Sequence, residues 1–121
     1  VSELTARTND DGFEYIFEDW FKTSKVNKKD LILIFSVGGG DLKKKISVNI
    51  VNALKYANKN KIKSICFVGK KDGYAFKNSS LSLCFNVNNK KLLTPISEAM
   101  QAVVWHALVS DPDLQLNKTK W

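Results

Sequence analysis

Histidine, cysteine and arginine are nearly missing from this 121-residue chain. It has one histidine, two cysteines and one arginine, Arg7, among nineteen basic residues. Each shortage excludes something. Cys66 and Cys84 lie in separate apolar runs, too few and too widely spaced for a metal cluster or a disulfide framework. They read as buried reduced thiols, which fits a cytoplasmic location. The single histidine, His106, is the one side chain whose ordinary pKa suits acid/base work near neutral pH. No apolar run approaches the roughly 20 residues that span a bilayer, and no secretory leader is visible, so no membrane partner is expected. The chain opens at Val1 without an initiator methionine, which reads as a processed product or a piece of something longer. The net charge of +7 would suit a polyanion. However, the cations are lysines scattered among asparagines, with no aromatic RNA-binding motif, zinc knuckle or basic helix. No nucleic-acid partner is expected.

What is present is a globular composition, 44% apolar, at a length that suits one domain over residues 1–121. Phe13, Ile16, Phe17, Trp20 and Phe21 recur at helical spacing and predict a helix with a wide aromatic face. Leu31 to Phe35 is a continuous apolar run, expected of a strand buried on both sides of a parallel sheet. Ile50, Val51, Leu54 and Ala57 predict a helix with Ser47 as N-cap. Ile62 to Val68 and Leu81 to Val87 predict two further strands. Pro95 opens a last helix, whose core face is expected at Ile96, Met100, Val103, Val104 and Ala107. Asp111 to Trp121 reads as a polar tail. Helices alternating with strands imply an α/β fold, a three-layer sandwich around a mostly parallel sheet.

The most informative stretch is Asp30-Leu-Ile-Leu-Ile-Phe-Ser36-Val-Gly38-Gly39-Gly40, followed by Ser47-Val-Asn49 at the start of the next helix. A strand that empties into a Gly/Ser loop before a helix N-terminus can hold an anion. Glycine lets backbone amides approach, and the helix end contributes partial positive charge. Lys43, Lys44 and Lys45 add positive charge beside it. The same pattern also forms for purely structural reasons, so it points to a phosphorylated ligand without proving one.

Four stretches together resemble the sugar isomerase (SIS) domain family, in its phosphoheptose isomerase branch. They are Thr8-Asn-Asp10-Asp-Gly-Phe13, the run from Asp30 through the Gly loop, Ile65-Cys-Phe-Val-Gly69-Lys-Lys-Asp72-Gly73, and Glu98-Ala-Met-Gln-Ala-Val-Val-Trp-His106. They occur in order over nearly the whole chain. The resemblance implies a SIS-like fold of flavodoxin/Rossmann-type topology, truncated at its N-terminus to the last two-thirds of a family member. It implies isomerisation of sedoheptulose 7-phosphate to a heptose 7-phosphate, on the way to lipopolysaccharide heptoses, by a homo-oligomer (dimer or tetramer), with zinc as a possible cofactor.

By position, the resemblance places Asp10 near the sugar. Ser36, Gly38, Gly39, Gly40, Ser47 and Asn49 fall around the phosphate. Glu98 and His106 face the site, with His106 catalytic and both as possible metal ligands. Glu98 and His106 share a helical stripe yet stand about 12 Å apart along the axis. Other readings make His106 a core-edge histidine and Glu98 a charge that favours the helix dipole.

The chain also departs from the family pattern. No earlier Gly-rich turn with its glutamate and histidine is visible. Asp41–Ile46 lengthens the serine-to-serine step. Gly38 replaces a loop serine, and Glu98 replaces a glutamine. Isomerisation through an enediol needs one base to take a proton beside the carbonyl and return it to the neighbouring carbon. A non-catalytic phosphosugar-binding module is the alternative. The aromatic helix and the apolar last helix offer more apolar face than one small sheet can cover, so self-association is expected.

Overall fold

A computed structural model describes residues 1–117. Its elements run α1 (Ser2–Asp11), a 3-10 turn (Phe13–Tyr15), α2 (Ile16–Thr23), β1 (Leu31–Ser36), α3 (Val48–Lys59), β2 (Lys63–Val68), α4 (Tyr74–Asn78), β3 (Leu81–Cys84), a second 3-10 turn (Lys90–Leu92) and α5 (Leu93–Ser110). The strands form one parallel sheet in the order β1-β2-β3. Ile34 pairs with Cys66, and Val68 pairs with Cys84. This is the α/β, parallel-sheet architecture expected from the alternating pattern.

One sheet face carries the core. Ile34, Cys66 and Val68 point to the side where Leu54 of α3 and Ala75 of α4 cover them. Val51, Leu54 and Ala57 repeat every three residues, so one stripe of α3 is fully buried. Removing the Leu54 side chain would cost roughly 2–5 kcal/mol, the usual range for a buried leucine. Asn60 and Lys61 end α3, and Lys61 adopts a positive φ of 57°. α2 packs on α3 through its aromatic face, with Phe21 6.3 Å from Tyr56.

The opposite face differs from the sequence expectation. Leu31, Leu33 and Phe35 of β1 are exposed, as are Leu81 and Leu83 of β3, so β1 is not buried on both sides. Among the described residues, α5 approaches this face at the carboxyl end of β2. There Gln101 donates to the Phe67 carbonyl at 3.0 Å, and Ser97 abuts Gly69. The face of α5 that packs is Leu93, Ser97, Gln101, Val104 and Leu108, of which only Ser97 is fully buried. Ile96, Met100, Val103 and Ala107, expected in the core, are exposed. α5 is apolar nearly all round, so its periodicity could not single out one face. The helical stretch Lys90–Ser110 is also long and apolar enough to cross a membrane by length and composition, a property that core helices of soluble proteins share.

Smaller corrections concern boundaries. The aromatic segment starts as a 3-10 turn and becomes α-helical only at Ile16. β3 stops at Cys84, short of Val87, and Asn86 beyond it has a positive φ. Cys66 is buried, Cys84 is half-buried, and both are free thiols. The end of the expected tail, 118–121, lies outside the described residues.

Candidate functional site

The loop after β1 is fastened to the turn after β2. Val37 accepts from the Gly69 amide at 2.9 Å, Gly39 from Ala75 at 2.8 Å and Gly40 from Tyr74 at 2.8 Å. Gly39 and Gly40 have φ of 72° and 82°, a region that favours glycine. A Cβ on Gly73 would collide with the Gly38 carbonyl, so the two loops touch through bare backbone. The Ser36 hydroxyl is already engaged and accepts from the Gly39 amide at 3.0 Å. Three loop carbonyls are thus held by the segment after β2, and the Gly39 amide by the loop's own Ser36.

The segment Asp41–Ile46 forms a tight hairpin. Asp41 and Ile46 exchange backbone bonds of 2.8 and 3.0 Å. The Asp41 carboxylate accepts from the Lys43 and Lys44 amides at 2.9 and 3.1 Å. The Lys44 amide contributes most to holding the Asp41 pKa below its ordinary value. The hairpin returns the chain to Ser47, which has φ 47° and starts α3 with no side-chain cap.

The first amides of a helix have no partner within it. At α3 they open into a hollow of about 610 Å³ lined by Phe13, Glu14, Leu42, Lys45, Ser47, Val48 and Asn49. Asn49 is only 7% exposed, and its carbonyl oxygen accepts from the Ile50 amide at 2.9 Å. Asn52 donates to the Glu14 carbonyl at 3.1 Å and so ties the 3-10 turn to α3. A lysine, a serine and a helix N-terminus can together hold an anion. Glu14 is the one carboxylate on the wall.

Of the residues singled out in the sequence, Ser47 and Asn49 line this hollow. Lys45 joins them from the lysine run. Ser36, Gly38, Gly39 and Gly40 form the neighbouring loop and are not on its wall. Asp10 is exposed near the end of α1. Glu98 and His106 are exposed on α5, and the His106 ring stacks on Trp105 at 3.9 Å. They are not brought to the hollow. Glu14 and Leu42 were missed, because nothing in the spacing distinguishes them from other surface residues. Only the turn at Gly12 and the hairpin bring them in.

Zinc does not fit the donors within this chain. Glu98 and His106 supply two ligands where a catalytic site uses three from protein. Among the described residues, no group of three or more His, Cys, Asp and Glu side chains could hold a metal. A second hollow of about 570 Å³ lies between α2 and the free edge of β1, walled by Phe17, Trp20, Leu31, Leu33 and Ile50. Asp30 is its one charged residue, so it offers little chemistry.

No family model and no curated protein matches the sequence. Among solved structures, a phosphoheptose isomerase from Francisella tularensis is similar at 22% identity and a TM-score of 0.67. The match covers 87% of this chain and 53% of that one. Phosphoheptose isomerase from Neisseria gonorrhoeae is similar at 21% identity and a TM-score of 0.59, covering 87% and 54%. The chain thus spans about half the length of the solved structures it matches. Over that span it has the SIS-like α/β fold of the phosphoheptose isomerases.

Proposed function

We propose that this chain binds a phosphosugar at the α3 hollow and serves a sugar-phosphate aldose–ketose isomerase. Sedoheptulose 7-phosphate, the substrate implied by the resemblance, is the first ligand to test. One observation carries the reading: Ser47, Asn49 and Lys45 converge on the N-terminus of α3, in a fold shared with phosphoheptose isomerases. The phosphate sits against the helix end, where the Ser47 hydroxyl and the Lys45 ammonium add charge-assisted bonds. Holding the phosphate fixes the sugar, so binding energy is used for orientation.

Glu14 is the one carboxylate lining this hollow, and in this reading it takes the proton beside the carbonyl and returns it to the neighbouring carbon. His106, the acid/base candidate of the sequence, acts only where α5 meets the hollow of another copy or another segment. A second reading, a non-catalytic phosphosugar-binding module, is favoured by one observation: Glu98 and His106 do not line the hollow.

Titration calorimetry with sedoheptulose 7-phosphate and with unphosphorylated sedoheptulose tests binding. Only the phosphate ester binds, and Ser47→Ala weakens it about tenfold, the loss of one charged hydrogen bond. Equal binding of both sugars sinks the reading. An isomerase assay separates the two versions. If Glu14→Gln abolishes turnover while binding persists, the chain is catalytic. Binding with no turnover by the unaltered chain supports the module.

A further inference from the structure

The α3 hollow offers more than one phosphate uses. At about 610 Å³ it falls within the roughly 300–1,000 Å³ of sites that enclose drug-sized ligands. Its anion end is the start of α3, where Ser47 stands beside the Val48 and Asn49 amides. Asn49 is only 7% exposed, and its side-chain oxygen is taken by the Ile50 amide. Its Nδ2 has no acceptor among the described residues and is left to donate into the hollow. A shielded donor without a partner is costly, and an acceptor on a ligand relieves that cost.

Three further features of the wall go unused by a single phosphate. The hairpin Asp41–Ile46 carries Lys43 and Lys44 beside Lys45, and none of the three forms an ion pair among the described residues. Its one carboxylate, Asp41, is spent on the Lys43 and Lys44 amides at 2.9 and 3.1 Å, so it holds the loop and not the ammonium groups. Phe13 is 54% exposed and Leu42 42%, which leaves an aromatic ring open to the hollow. Glu14 places a carboxylate next to that ring.

We infer that the hollow also accepts a nucleoside diphosphate, which competes with the phosphosugar. This rests on the phosphosugar reading of the same site. One phosphate replaces that of the sugar at α3, against Ser47 and Asn49. The other meets the ammonium groups of the hairpin and gains charge-assisted bonds that a monoester lacks. The base stacks on Phe13, because every base has a π-face that suits an aromatic side chain. Glu14 accepts from the ribose hydroxyls, as an acidic residue does in dinucleotide sites. With Glu14 and the phosphate position both occupied, the nucleotide inhibits the site.

Titration calorimetry of the 121-residue chain with ADP, AMP and sedoheptulose 7-phosphate at fixed ionic strength tests this. ADP binds about tenfold more tightly than AMP, and the phosphosugar displaces it. Lys43→Gln/Lys44→Gln keeps both amides for Asp41. It removes the tenfold preference while phosphosugar affinity stays within about twofold. Phe13→Ala weakens ADP about fivefold and leaves inorganic pyrophosphate unchanged. Lys55→Gln/Lys59→Gln removes the same charge farther along α3 and alters neither ligand. Phosphosugar binding without a preference for ADP over AMP, or without displacement, overturns the inference and leaves the phosphosugar reading standing. A preference that falls equally in both lysine pairs reports net charge alone and also overturns it. Failure of sedoheptulose 7-phosphate to bind at all overturns the phosphosugar reading and, with it, the competition.

Discussion

The two faces of the sheet are built from similar residues and have different fates. On one, Ile34, Cys66 and Val68 are covered by α3 and α4. On the other, Leu31, Leu33, Leu81 and Leu83 stand in the open. Adjacent residues of one strand therefore contribute very different amounts to stability, because burial and not residue type sets the energy. A similar contrast separates the two loops of the site. The Gly loop's carbonyls accept from Gly69, Tyr74 and Ala75, whereas at the start of α3 the Ile50 amide is bonded to Ser47 and Asn49 and the two amides before it face the hollow. Glycine-rich sequence marks the neighbouring loop here, and the less conspicuous Ser47–Asn49 marks the opening.

The largest effect expected from this contrast is at the core. Leu54→Ala lowers stability by roughly 2–5 kcal/mol. Leu83→Ala, on the open face, changes it by less than about 1 kcal/mol. Urea melts of the two variants measure the difference, and equal losses would mean that the open face is buried in the monomer. Next is the contact between loops. Gly73→Ala drives a methyl into the Gly38 carbonyl and costs roughly 1–3 kcal/mol by overpacking. The loop bonds at Tyr74 and Ala75 should loosen with it, read as faster amide exchange.

Gly38→Ser is the opposite case. Nothing lies within 4 Å of a Cβ there, so the serine is accepted with a melting temperature near that of the parent chain. Phosphosugar affinity stays the same or rises a few-fold if the added hydroxyl reaches the phosphate, a gain of up to about 1 kcal/mol. A large loss of stability would show that the space beside Gly38 is filled.

The smallest effect is pH-dependent. The Asp41 pKa is lowered in the folded chain, chiefly by the Lys44 amide. Its contribution is therefore present above the ordinary value of 3.8 and is lost as pH falls through the lowered one. The Lys43 and Lys44 amide shifts should move toward random-coil positions only in that acid range. Asp41→Asn should shift this change or remove it.

Much of the fold was legible in the chain. Turn residues bounded the strands, and the spacing of Val51, Leu54 and Ala57 named the buried stripe of α3, because a surface helix must repeat its apolar residues every three to four positions. Two things were not legible. A continuous apolar run such as Leu31–Phe35 reads the same whether one face or both are covered. α5 is apolar on nearly every side, so Ile96 and Met100 looked like core while Ser97 and Gln101 took the packed positions. The site was half visible. Ser47 and Asn49 stood out beside the glycines, but Glu14 lies more than thirty residues away and is ordinary in its surroundings.

The sequence by itself determined the local matters: which segments are strands or helices, where glycine is needed to turn, and where a helix begins with open amides. Those depend on neighbours in the chain and on steric limits of the backbone. Only the tertiary structure decided which sheet face is covered, that Ser36 is occupied by its own loop, and that Glu14 and Lys45 share a wall with Ser47. Those are encounters between distant segments, fixed by packing, and a pattern read along one dimension does not contain them.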